Sequence, residues 1–190
     1  MKRVLITGIN GFTGFYVAKE LELAGWEVWG IGLQPHADIT DRYKQVDLLD
    51  RNALEMAISD IEPHAVLHMA GLAFVALSDA QAFYQVHIVG TRNLLAALAA
   101  CPQVPECVLV ASSAYVYGNS TEGVLSESTP VNPANDYAVS KLAMEYMARL
   151  WLDRLPIVIS RPFTYTGVGQ SESFLLPKIV AHFRRREPVI

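Results

Sequence analysis

The stretch "RVLITGINGFTGFYVAKELELAG" (residues 3–25) sets the architecture of the chain. It opens on a near-continuous apolar run, Arg3 to Gly8, of the kind a strand buried on both faces requires. It then passes through Gly8, Gly11 and Gly14 and continues with helical spacing as far as Gly25, which reads as a C-cap. Glycines at this spacing, between a strand and a helix, let the backbone turn sharply and approach a pyrophosphate whose charge sits at the helix N-terminus. A glycine-rich loop alone is weak evidence. Placed directly after the first strand of a strand–helix repeat, it points to a dinucleotide site.

The same alternation continues outward. "EVWGIGL" (27–33), "AVLHMA" (65–70), "CVLVASS" (107–113) and "LPIVISR" (155–161) are further apolar runs, and a short strand precedes "VDLLD" (46–50). Between them, residues 51–60, 78–100 and 136–153 carry helical spacing, with Ser78 placed to N-cap the second of these. Gly90 inside that helix implies close packing, since glycine there otherwise costs about 1 kcal/mol. The pattern predicts an α/β fold, a Rossmann-like doubly wound parallel sheet with helices on both faces. The polar stretch from Gly118 to Asn135 has neither period and reads as a loop at the C-terminal end of a strand, where open parallel sheets bind ligands.

Composition narrows the function. With 52% apolar residues in a chain of 190, one domain with a sizeable core is expected. A net charge of −4 without a basic stripe argues against a nucleic-acid partner, and Arg184, Arg185 and Arg186 read as the C-terminal turn of a helix. Cys101 and Cys107 lack metal-ligand spacing, so no metal site and no disulfide framework is expected. The first apolar run breaks at Gly8, too soon for a signal peptide, and "AVLHMAGLAFVAL" (65–77) is too short to span a bilayer. The reading is a cytoplasmic protein with no membrane partner.

At the nucleotide end, an acid after the second strand would select NAD and an arginine NADP. Those positions are Leu33 and Gln34, so the choice between the two cofactors stays open. Asp47 is placed either to accept a hydrogen bond from an adenine amino group or to serve as an acid at a helix N-terminus. "HMAG" (68–71) ends a strand with small residues that would let a cofactor lie close. Tyr137 and Lys141, four apart in "NDYAVSKLAMEYMA" (135–148), share one face of a helix. Alone, the pair reads as a buried aromatic one turn from a solvated amine.

Taken together, the glycine loop, Asp47, "HMAG", "SSAYVYG" (112–118), "YAVSK" (137–141) and "SRPFTYTGVGQ" (160–170), in this order, resemble the extended short-chain dehydrogenase/reductases, the NAD-dependent epimerase/dehydratase family. Within it, residues 135–147 and 160–174 look most like reductases that convert GDP-4-keto-6-deoxymannose to GDP-rhamnose. The resemblance implies an NAD(P)-dependent oxidoreductase of nucleotide sugars in which Tyr137 is the acid/base. A free tyrosine, at about pKa 10, needs a cation to favour its anion. Lys141 would supply that charge and hold the nicotinamide ribose, while Ser113 would hydrogen-bond the reacting oxygen.

By the same resemblance Gly8, Asn10, Gly11, Phe12, Thr13, Gly14, Asp47, Leu48, Ala70, Gly71 and Pro162 would line the cofactor, and Ser113, Tyr115 and Thr164 the substrate. Residues 1–170 would form the NAD(P)-binding domain and 171–190 the start of a substrate-binding portion whose remainder is absent. Helices 78–100 and 136–153 would pair in a homodimer, or pack only on their own sheet.

Four positions depart from the family. Dehydratases carry an acid pair where this chain has Ala114 and Tyr115, so elimination of water is not expected. His87 stands where relatives have Asn, and reads as a buried helix histidine or as a contact to water or cofactor. Thr164 replaces the Asn of "RPFN". The reading is therefore a 4-keto reductase of a nucleotide-linked 6-deoxysugar, with a 4-epimerase or a non-catalytic dinucleotide sensor as alternatives.

Overall fold

The computed structural model describes residues 1–36, 41–73, 79–119 and 123–186. Ser78, expected to cap a helix, lies outside them, as do residues 74–77 of the apolar stretch. Among the described residues six strands form one parallel sheet: β1 (Arg3–Thr7), β2 (Glu27–Gly32), β3 (Tyr43–Gln45), β4 (Ala65–His68), β5 (Cys107–Ala111) and β6 (Ile157–Ser160). Their order is β3-β2-β1-β4-β5-β6, the doubly wound arrangement expected of strands separated by crossover helices. Register aligns Val4 with Val28 and Ala65, and Val108 with Val66 and Ile157.

Successive strand residues point to opposite faces, and both faces are apolar. Val4, Ile6 and Val28 pack with Ile9 and Ala18 beneath α1 (Phe12–Leu23). Leu5, Ile31, Val66, Val108 and Val110 pack on the other face against α2 (Arg51–Ile61), α4 (Thr91–Ala100) and α5 (Asp136–Arg149). Gly25, at φ +84°, follows α1. Its N–H donates to the Glu22 carbonyl and that of Trp26 to Leu21, the paired bonds of a Schellman end.

Several boundaries differ from the sequence reading. The helix expected over 78–100 is three pieces: α3 (Ala80–Tyr84), a π turn (Gln85–Gly90) and α4. Its N-cap is Asp79, whose side chain accepts from the Gln81 N–H. Hydrophobic period cannot register a π turn, because one wider turn shifts the apolar face by a single residue. A Cβ on Gly90 would stand 3.0 Å from that of Leu48, so the glycine admits the segment after β3. Burying a leucine contributes about 1.5–3 kcal/mol, more than the helix propensity the glycine forfeits.

Further along, α5 ends at Arg149, earlier than 153, and Ser112 and Ser113 leave β5 to enter a 3₁₀ turn (Ala114–Tyr117). Arg184 and Arg185 occupy the last turn of α6 (Leu175–Arg185), as a helix C-terminus favours, with Arg186 in the left-handed conformation at its cap. Among the described residues no helix is long and apolar enough to cross a membrane.

Candidate active site

The C-terminal ends of β1 and β4 meet where the strand order reverses, and the backbone there is packed without room for side chains. Gly8 has φ +73°, and a Cβ on it would lie 2.8 Å from both the N and the Cα of Ala70. A Cβ on Gly14 would lie 2.7 Å from the Cα of Ile9. Gly8 donates its N–H to Ile31 at 2.9 Å and accepts that of Gly11 at 2.9 Å. Gly11 N-caps α1 with no side-chain acceptor, so the first-turn N–H groups and the helix dipole face the crevice.

Across the crevice, α5 begins at Asn135, whose side chain accepts the Ala138 N–H at 2.8 Å. That cap fixes the turn carrying Tyr137 and Lys141. The Lys141 amine is buried and donates to the Ala111 carbonyl at 2.9 Å, binding α5 to the end of β5. Two residues on, Ser113 is buried and its Oγ accepts the Tyr115 N–H at 3.2 Å. Tyr115 meets the Tyr137 ring edge to face at 5.9 Å. Ser113, Tyr137 and Lys141 thus converge from β5 and α5.

Burial sets the charges. It lowers the Lys141 amine to about 8, which leaves it protonated near neutral pH. It raises Tyr137 above its usual value, with a Ser113 hydrogen bond pulling the other way and Tyr115 and Tyr165 adding to the rise. With desolvation the largest cause, Tyr137 holds its proton at neutral pH. His68 and His87 are pushed down to about 3 by burial and then by Lys141, so both rings are neutral.

The NAD dependent epimerase/dehydratase family pattern matches residues 4–190. The chain belongs to that family. It is 31% identical over 191 residues to GDP-6-deoxy-D-talose 4-dehydrogenase of Aggregatibacter actinomycetemcomitans, covering 99% of this chain and 61% of that protein. It is 34% identical over 190 residues to GDP-6-deoxy-D-mannose reductase of Pseudomonas aeruginosa, covering 97% and 59%. A crystal structure from Burkholderia cenocepacia J2315, whose own assignment as an epimerase is provisional, superposes with a TM-score of 0.91 at 52% identity, over 100% of this chain and 63% of that one. The Thermus thermophilus UDP-glucose 4-epimerase in complex with NAD superposes at 0.83 with 28% identity, over 97% and 62%. The chain therefore spans about three fifths of the length of these relatives.

Within this family frame the other expected positions sort clearly. Phe12 and Thr13 sit at the start of α1 under residues 163–170: Phe12 stacks on Tyr165 at 6.2 Å, and Thr13 Oγ1 lies 2.5 Å from the Tyr165 hydroxyl. Asn10 donates to the Gln34 carbonyl at 3.0 Å, tying the glycine loop to the end of β2. Asp47 is exposed and accepts the Leu49 N–H at 2.9 Å, whereas Asp50 is the N-cap of α2. Leu48 belongs to the core, with its carbonyl taken by Asn93 at 3.0 Å, so its side chain is not at the crevice.

Pro162 accepts the Ala114 N–H at 3.0 Å, holding the start of the 3₁₀ turn, and Thr164 is exposed on the loop that follows. Ala70 donates to Thr7 Oγ1 at 3.1 Å. Gly71 faces the side chains of His87 and Lys141.

Sequence reasoning did not single out Ser140, Tyr165, Glu145 or Arg161. Glu145 is fully buried and accepts from Ser112 Oγ at 2.5 Å and from Arg161 Nε at 2.9 Å and Nη2 at 2.6 Å, while Arg161 Nη1 donates to the Tyr117 hydroxyl at 2.9 Å. A lone acid on a helix and an arginine after a strand give no signal of pairing until the fold brings them together.

Proposed function

We propose that the chain forms the cofactor-binding and proton-transfer part of an NAD(P)-dependent reductase acting on the 4-keto group of a nucleotide-linked 6-deoxysugar. The observation that carries this is the Ser113–Tyr137–Lys141 cluster, set beside a side-chain-free cradle with Ala114 and Tyr115 next in line. The residues present fit a dinucleotide: the close backbone packing at Gly8 and Gly14 brings the uncapped N-terminus of α1 to the crevice, where its first-turn N–H groups would hold the pyrophosphate. The bound nicotinamide would supply hydride to the carbonyl carbon.

Tyr137, which keeps its proton at neutral pH, gives it to the carbonyl oxygen, and Ser113 orients that oxygen by a hydrogen bond. The Lys141 cation would stabilise the tyrosinate left behind and would hold the nicotinamide ribose. Elimination of water would need a further acid and base. Ala114 has neither, and Tyr115 offers no carboxylate. The two GDP-6-deoxysugar relatives support this substrate class.

The test is mass spectrometry of the full-length protein with two substrates. Pre-formed GDP-4-keto-6-deoxymannose plus NADPH should gain two hydrogens, and GDP-mannose with cofactor should lose no water. Dehydration of GDP-mannose would overturn the assignment. A 4-epimerase is the second reading, favoured by residues 163–170, which lie over α1 with the Tyr16 hydroxyl bonded to the Val168 carbonyl at 2.8 Å. A strap across the cradle slows cofactor exchange, which suits an enzyme that retains its cofactor. Cofactor surviving extended dialysis, with no net consumption of NADPH, would decide for it.

A further inference from the structure

His87 occupies the π turn between α3 and α4, and that wide turn carries a fully buried imidazole with a specific partner on each nitrogen. Nε2 accepts the Leu72 N–H at 3.1 Å. Nδ1 therefore bears the hydrogen and donates it to Ser140 Oγ at 2.9 Å, and Ser140 in turn donates to the Tyr137 carbonyl at 2.8 Å. A Cβ added to Gly71 would sit 3.1 Å from His87 Nε2 and 3.3 Å from Lys141 Nζ, so the two side chains meet on one backbone segment. The ring stacks on Phe83 at 5.8 Å and meets the Tyr137 ring edge to face at 5.6 Å.

We propose that His87 is a positioning residue, clamping the Gly71–Leu72 backbone at the end of β4 to the first turn of α5 so that Tyr137 and Lys141 are held in register with the cofactor floor. The proposal rests on the reading of Tyr137 as proton donor. Both joined segments border the proposed reacting centre: one faces Lys141 and would adjoin the nicotinamide end of a bound dinucleotide, and the other carries the acid and the cation. A role in filling space alone would be met by leucine or methionine. Such a residue would leave the Leu72 N–H and the Ser140 hydroxyl without these partners.

The groups facing the ring are Lys141, Tyr137 and Ser140 from α5, Phe83 from α3 and His68 from β4, and none is an acid that would charge it. His87 therefore moves no proton. It holds the geometry that proton transfer needs.

Two substitutions each keep half of the clamp. His87→Gln places an amide oxygen where Nε2 stands and loses the Ser140 bond, and His87→Asn keeps an N–H near Nδ1 and loses Leu72. Each is assayed in the full-length protein with NADPH and GDP-4-keto-6-deoxymannose, at equal folded fraction by near-ultraviolet circular dichroism. The expected result is a fall in kcat of about tenfold to a hundredfold, as a small misplacement of a reacting group produces. KM for NADPH stays within about threefold, equivalent to ~0.6 kcal/mol. The limbs of the kcat/KM pH profile keep their positions.

Ser140→Ala, which opens the clamp from its other end, reproduces the loss, and combined with His87→Gln costs less than the sum of the two. It also reads the clamp should the His87 variants fail to fold. Wild-type kcat in these variants while Tyr137→Phe is inactive would overturn the clamp alone. Disappearance of a pH limb would instead make His87 a proton carrier and overturn it as well. Full turnover in Tyr137→Phe removes the reading on which it rests.

Discussion

Tyr137 and Lys141 lie one helical turn apart but answer to different neighbours, and their substitutions separate accordingly. Tyr137→Phe keeps the ring that packs on Tyr115, Phe83 and His87 and removes only the proton. Turnover is expected to fall about 10²- to 10⁴-fold with NADPH affinity nearly unchanged, measured by steady-state kinetics and fluorescence titration. Lys141→Met is expected to lower both, because in the proposed function the amine would serve the tyrosinate and the ribose, and it anchors α5 to the Ala111 carbonyl. At the end of β2, the carbonyl of Leu33 accepts Gln45 Nε2 and that of Gln34 accepts Asn10 and Tyr43, and neither position offers an acid or a cation to a ribose. Dissociation constants for NADH and NADPH are expected to agree within about tenfold, ~1.4 kcal/mol. A preference beyond about a hundredfold would show that a charged neighbour such as Arg42 reads the ribose.

At the scale of elements, the Glu145–Arg161 pair joins α5 to the end of β6, and Ser112 adds the end of β5 to the same carboxylate. The Glu145 side chain is 1% exposed and that of Arg161 16%, so the carboxylate is shut off from water and the guanidinium largely so. Removing the acid leaves that guanidinium without its carboxylate. Glu145→Ala is therefore expected to lower the unfolding free energy by about 3–5 kcal/mol, read from urea denaturation. A loss below about 1 kcal/mol, the range of an exposed pair, would show that the junction is solvated. Because this junction lies directly behind Ser113 and Pro162, the same variant is expected to lose activity before it unfolds. The π turn is the second device at this scale: it lets one long helical segment turn His87 and Gly90 inward, toward the reacting cluster and toward Leu48.

Across the whole molecule, the interior holds two neutral histidines beside a buried lysine. Their folded values of about 3 lie well below the ordinary 6.5, so the unfolded chain takes up protons that the folded one refuses as pH falls from 6.5 toward 3. The contribution of the two rings is complete above that window and is expected to decline through it. Urea midpoints at about pH 7.5 and about pH 4.5 should show the decline, and His87→Gln should make it shallower. Equal midpoints would show that the rings titrate normally. The alternation of strand and helix and the glycine loop after β1 were legible in the chain before it folds, because both are written in local period or in a short motif. Ser113, Tyr137 and Lys141 were picked out there by resemblance to the family, and it is the fold that brings Ser113 to Tyr137. Only the folded molecule reveals that Leu48 is core, that Asn10 ties down the loop after β2, that Glu145 pairs with Arg161, and that His87 bridges Leu72 and Ser140. Those relations join residues far apart in sequence, and burial, which sets the charge of Tyr137, Lys141 and both histidines, exists only once the sheet and its helices have closed around them.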